Sequence, residues 1–166
     1  MIRAIVWTGP MTARQSWGKG GTHGKRTSEL RSYDPGMWLK AVAERLHFEG
    51  RRHAYSALRA TLHAMRDRLA PEDAVHLGAQ FPMVIRGLYF EGWRLAGKPT
   101  DEHSIDEFCE RIARELPPQF GMDAKTVATG VFDVIFKELD PGAVAKVIDQ
   151  LPVPLRSLWP QGARRD

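Results

Sequence analysis

The stretch Arg66–Trp93, RDRLAPEDAVHLGAQFPMVIRGLYFEGW, decides the fold. Pro71 suits the first turn of a helix, because its fixed φ is already helical and its missing N–H would have no partner there. Glu72 and Asp73 follow where the helix dipole favours negative charge, and Gly78 is placed to end the segment. Phe81 precedes Pro82 and is therefore expected to be extended. Pro82 opens a further helix carrying Val84, Ile85, Leu88 and Tyr89. The same frame returns seventy positions later. Leu69, Pro71, Gln80, Pro82, Arg86 and Leu88 recur as Leu139, Pro141, Gln150, Pro152, Arg156 and Leu158. Apolar class alone could agree by chance. Agreement of prolines, Gln and Arg in one gapless register reads as an internal duplication.

Working outward, Pro35 starts a helix whose face is Trp38, Val42 and Leu46, closed by Gly50. Arg51 to Leu69 is a longer helix. Ala54, Leu58, Thr61, Leu62, Met65 and Leu69 advance in threes and fours along one stripe. In the second copy, Ser104 and Glu107 form a capping box. Phe108, Ile112 and Leu116 then stand seventy after Trp38, Val42 and Leu46, and Pro117-Pro118 breaks that helix. Ala128, Phe132, Ile135 and Leu139 match Leu58, Leu62, Met65 and Leu69. Asp140 caps a helix opened by Pro141, and Pro152 to Trp159 repeats the fourth helix with an extra Pro154 before Pro160 stops it.

The expected fold is all-α, with about eight helices in two pseudo-repeated four-helix halves packed into one bundle-like domain. The domain is expected over 35–160, with copies at 35–89 and 105–159 and a connector at 90–104. Residues 1–34 read as a flexible basic arm and 161–166 as a tail. Neither copy looks large enough to bury a good core alone, so the two should pack face to face.

Of 166 residues, 43% are hydrophobic and 27% charged, which is ordinary for a soluble globular chain. No apolar run approaches the ~20 residues of a membrane span. Ala4–Trp7 is too short for a signal-peptide core, so a cytoplasmic location is expected. The single Cys109 suits a reducing compartment and leaves no intramolecular disulfide or multi-cysteine zinc site. The formal charge of +4 belongs to the leading segment, where Arg3, Arg14, Lys19, Lys25, Arg26 and Arg31 face only Glu29 and Asp34. The remainder is neutral, so nucleic acid is expected to be reached only through residues 1–34. The GKGGTHGKRT run there lacks the phosphate-loop spacing: counting back from Gly24-Lys25 reaches Lys19, and Arg26 follows.

Leu58 to Trp93 closely resembles a bacterial helical family, domain of unknown function 2267, and Val147 to Pro160 resembles that family's C-terminal end. The resemblance covers Trp38 to Trp159 and implies a small, soluble, all-helical protein. It implies no reaction and carries no catalytic residue.

Candidate chemistry is sparse. Gln80 and Gln150 precede the helix-opening Pro82 and Pro152 by two, and Arg86 and Arg156 follow those prolines by four. They are either ligand-facing groups or scaffold groups. In the scaffold reading, Gln satisfies backbone left open between two helices, and Arg ties helix ends or an acid such as Glu72 or Asp149. Recurrence in both copies favours scaffold. Arg66 stands where the other copy has Phe136, so a buried, paired arginine is expected; Asp67 points to a different helix face and is not automatically its partner. The functional alternative is an anion cleft of Arg66 and Arg86 walled by Tyr89 and Trp93. Arg52, Arg59 and Arg66 form a basic ridge seven apart, read as a solvated face. His53, His63 and His76 lack ligand spacing, and His103, Asp106, Glu107 and Glu110 sit at a helix start where acids belong anyway. Cys109 aligns with Leu39 and reads as a small packed residue rather than a dyad with His103.

No nucleophile elbow, zinc-protease pair or dinucleotide glycine pattern is present. No cofactor or metal is expected, and the reading leans away from an enzyme. The leading expectation is a non-catalytic interaction or scaffold module for an unknown protein partner or its own copy, with exposed aromatics near Tyr89, Phe90 and Trp93. The alternatives are a small-ligand binder or unrecognised enzyme at the Arg66/Arg86/Trp93 cleft, and weak nucleic-acid binding through the arm.

Overall fold

The computed structural model describes residues 34–164; the arm expected at 1–34, apart from Asp34, and the tail residues 165–166 lie outside the described residues. Eight α-helices follow in order: α1 (Pro35–Leu46), α2 (Arg51–Arg68), α3 (Pro71–Gly78), α4 (Met83–Phe90), α5 (Ile105–Glu115), α6 (Ala124–Glu138), α7 (Pro141–Gln150) and α8 (Val153–Arg156). A 3₁₀ turn, Gln161–Ala163, closes the chain, and no strand occurs among the described residues. The protein is all-α.

Short polar side chains set the helix starts. Asp34 accepts from Gly36 N at 2.8 Å, Asp123 from Thr126 N at 2.9 Å, and Asp140 from Ala143 N at 2.9 Å. Ser104 and Glu107 make the reciprocal capping box, which satisfies donors that the first turn leaves open. The end of α1 differs from the glycine expected. His47 itself takes the left-handed conformation, at φ 56°, while Gly50 becomes the extended N-cap of α2.

The helix starts Pro35 and Ile105, Pro71 and Pro141, and Met83 and Val153 are each seventy apart. Packing crosses between the two sets. α1 lies against both α2 and α6, and α5 lies against both α6 and α2. Each early helix thus packs on the long helix of the other set, and α3 meets α7. The core is shared: Leu58, Leu62 and Met65 from α2 and Phe132 and Ile135 from α6 are all buried, with Trp38, Val42, Phe108 and Ile112 from the flanking helices. Gly130 marks where α6 crosses α1, since an added Cβ there would run into the Leu46 side chain.

α8 is much shorter than the Pro152–Trp159 helix expected. Pro154 has no N–H to donate, and Ser157 Oγ donates to the Pro154 carbonyl at 2.7 Å. The chain continues in turns whose amides reach back three residues, from Leu158 to Leu155 and from Trp159 to Arg156. The folded body also runs past Pro160, because the 3₁₀ turn packs on α7 and buries Ala163.

Candidate functional site

α2 carries a polar cluster in its last two turns. Arg66 is 4% exposed. Its Nε donates to Asp67 Oδ1 at 2.8 Å, and its Nη1 donates to the carbonyls of Tyr89 at 2.6 Å and Glu91 at 3.0 Å. The guanidinium also lies 6.0 Å over the Trp93 ring. Asp67, which helix-face geometry did not make the automatic partner, is one of its partners. Adjacent Cα atoms are close enough for a long guanidinium to fold back onto the neighbouring carboxylate.

Asp67 gathers three cations: Arg66, Lys98 Nζ at 3.0 Å and Arg111 Nη2 at 2.8 Å. Burial pushes its carboxyl pKa up, but the combined hydrogen bonds from Arg66, Lys98 and Arg111 outweigh that and hold it below the ordinary value. Its backbone carbonyl accepts from Thr100 N at 2.8 Å and Thr100 Oγ1 at 3.1 Å, and Arg68 Nε donates to Glu102 O at 2.7 Å. The effect is a latch that ties the connector 91–104 and α5 to the end of α2. Upstream, Arg59 bridges Glu91 at 2.6 Å and Glu115 at 2.8 Å, and Arg59 holds the Glu91 carboxyl below its usual range. Buried His63 sits between them, with Nε2 2.8 Å from the Leu88 carbonyl and Nδ1 3.4 Å from Glu115. The ridge Arg52–Arg59–Arg66 is therefore not one solvated face; only Arg52 of the three is fully exposed.

Arg86 is a collar around the end of α3. Nε donates to Gly78 O at 3.1 Å, and Nη2 to Ala79 O and Phe81 O, each at 3.0 Å. Arg156 does the same for α7, with Nε to Leu151 O and Nη2 to Asp149 O, both at 2.9 Å. The scaffold reading has the arginines tie helix ends and the glutamines share the open backbone between the helices. Both glutamines are exposed instead, and a guanidinium fork four residues into the next helix reaches the helix end better. Pro82 and Pro152 are the N-caps of α4 and α8.

Tyr89 is 0% exposed, which corrects the expectation of an exposed aromatic patch. Its hydroxyl donates to Ala74 O at 2.9 Å, its ring packs on Phe81 and Phe90, and burial pushes its pKa well up. Phe90 and Trp93 are half-buried against the core. Arg66, Arg86, Tyr89 and Trp93 are thus not brought together in one cleft. Arg66 and Trp93 belong to the latch, whereas Arg86 and Gln80 rim a 160 Å³ depression beside Glu138 and Asp140.

A concavity that presents apolar side chains to solvent lies elsewhere. A groove of about 320 Å³ runs between α1, α2 and α4, lined by Pro35, Leu39, Tyr55, Val84, Ile85, Gly87, Leu88 and Glu91. Val84 is 58% exposed and Tyr55 42%, and neighbouring Met83 reaches 82%. Sequence reasoning missed this site. Its one signal was Tyr55, a large ring off the buried stripe. A more polar groove of about 610 Å³ separates α3 from α7, with Asp73, His76, Gln80, Asp140 and Lys146 on its rim.

The remaining candidates are taken up locally. Glu107 accepts the amides of His103 and Ser104, at 2.8 and 3.0 Å. Among the described residues no group of three or more His, Cys, Asp or Glu is placed to hold a metal. Burial, then Asp106, pushes the Cys109 thiol up, opposite to the activation a nucleophile needs. No helix among the described residues is long and apolar enough to cross a membrane.

The fold and its sites define an all-helical protein held by guanidinium collars and an internal polar latch, with its apolar concavity on one side. The family described as uncharacterized conserved protein DUF2267 matches residues 37–158, and the chain belongs to that family. No curated protein matches the sequence.

Proposed function

We propose that this protein is a non-catalytic helical binding module whose contact face is the groove between α1, α2 and α4. The observation that carries this reading is the groove itself, where Tyr55 and Val84 hold apolar surface in water around a concavity. Exposed apolar surface is costly, and clustered around a concavity it marks a place that something covers. The arginines that the sequence offered as ligand contacts serve the scaffold: Arg66 and Arg86 spend their donors on carbonyls and on Asp67. We further infer that the chain is two copies of one four-helix unit, supported by the seventy-residue offset of helix starts and by the matched Arg86 and Arg156 collars.

A photo-reactive residue tests the contact face. Placed at Val84 in cells making the protein, it should give a discrete adduct. The same residue at Glu110, exposed on α5, should give none. Equal labelling at both positions, or none at Val84, contradicts the reading.

A further inference from the structure

The charges along α2 differ on the two sides of the groove-lining Tyr55. On one side the groove ends at Glu91, whose carboxylate is held by Arg59 at 2.6 Å, and Arg59 is itself shared with Glu115. One turn before Tyr55, outside the residues that line the groove, are Arg51 and Arg52. They precede Tyr55 by four and three residues, so all three are neighbours on the surface of α2. Both arginines are exposed, and neither makes an ion pair or side-chain hydrogen bond among the described residues. Seven residues separate Arg52 from Arg59, and at ~1.5 Å per residue this is about 10 Å along the helix. The volume of about 320 Å³ falls at the low end of small-ligand sites, which span roughly 300–1,000 Å³.

We propose that the groove binds a medium-chain carboxylic acid. Its tail lies along Leu39, Val84 and Leu88, and its carboxylate meets Arg51 and Arg52. Bonds of ~1.5 Å in a zigzag put a chain of on the order of eight carbons across the 10 Å span. The orientation follows from charge. Glu91 repels a carboxylate at its end, and Arg59 is already neutralised by two acids, so the unpaired cations at the α2 start attract the head group. The tail supplies most of the affinity, at roughly fourfold per methylene buried. The head group, on an exposed lip, adds roughly three- to fivefold. This inference rests on the groove being the binding face.

The test titrates the full-length protein with octanoate, octan-1-ol and acetate at low ionic strength by calorimetry. Octanoate should bind, octanol roughly three- to fivefold more weakly, and acetate not at all. Arg51→Gln with Arg52→Gln should bring octanoate to the level of octanol and leave octanol unchanged. Val84→Asp, at an exposed position, should keep the helical circular dichroism and abolish both. Equal binding of acid and alcohol, with both lost in Val84→Asp, overturns the carboxylate while the groove stands as the contact face. Octanoate binding that survives Val84→Asp places the ligand elsewhere and overturns the proposal. So does a failure of both to bind, in which case the adduct at Val84 still decides the contact face separately. A dimer that Val84→Asp dissociates, with no octanoate bound, overturns it in favour of a second copy.

Discussion

At position 66 the chain buries an arginine; seventy residues on, at the same point near the end of the long helix, it has half-buried Phe136. What covers each differs in kind. Arg66 is closed over by the end of α4 and the start of the connector 91–104, through Tyr89 O and Glu91 O, and the connector is pinned beside it by Lys98 and Thr100 on Asp67. Phe136 faces the 3₁₀ turn, where a Cβ added at Gly162 would lie 3.7 Å from its ring. The neighbouring positions differ likewise: Asp67 against Lys137, and Tyr89, bonded to Ala74 O, against Trp159, stacked on Phe132 at 4.2 Å. The collars Arg86 and Arg156 are alike in kind. Helix ends need their carbonyls satisfied in both places, whereas the cover over the long helix can be polar or apolar.

The largest expected effect breaks the polar side of this comparison. Asp67→Ala leaves Arg66, Lys98 and Arg111 without their shared anion, and breaking a buried pair costs about 3–5 kcal/mol. At ~2–4 °C per kcal/mol the melting temperature should fall by roughly 6–20 °C. Phe136→Ala should cost about half as much, because its ring is only half-buried. A larger loss for Phe136→Ala, by thermal melting, would reverse the comparison.

The same carboxylate sets an acid limit. Its folded pKa lies below the ordinary 3.8, so its contribution is present above 3.8. That contribution is lost as pH falls from 3.8 through the lower folded value. Asp67→Asn should flatten this part of the stability-against-pH curve, followed by urea unfolding; an unchanged acid slope would remove Asp67 from the account.

Next come the collars. Arg86→Ala should cost about 2 kcal/mol and Arg156→Ala about 1 kcal/mol, since the first loses three carbonyl bonds and the second two, all partly solvated. Urea midpoints check the order. The smallest effect sharpens the reading of the glutamines: Gln80→Ala should stay within about 0.5 kcal/mol, as an exposed substitution without lost bonds does.

The helices were legible because their signals are local. Proline at a first turn, Asp before it and a three-four apolar spacing need no knowledge of the rest of the chain. The seventy-residue offset of Pro71 and Pro141 needed only the sequence. The latch was half legible. The mismatch of Arg66 with Phe136 announced a buried charge, but Lys98, Thr100 and Arg111 arrive from a connector and another helix, and no spacing rule relates them to Asp67. Tyr89 was misread because its exposure depends on Ala74 and Phe81, brought over it by the α3–α4 turn. The groove was legible only in Tyr55, a ring off the buried stripe. Leu39, Tyr55 and Val84 come from three helices, each of which spends its recognisable apolar stripe on the core.

The account turns on whether the contact face is the groove or the ground around Gln80 and Arg86. The most direct measurement is the dissociation constant of octan-1-ol, a neutral apolar probe, for the native chain, Val84→Asp and Arg86→Gln. The account predicts binding that Val84→Asp abolishes and Arg86→Gln leaves within about twofold. Binding that Val84→Asp spares and Arg86→Gln removes would contradict it.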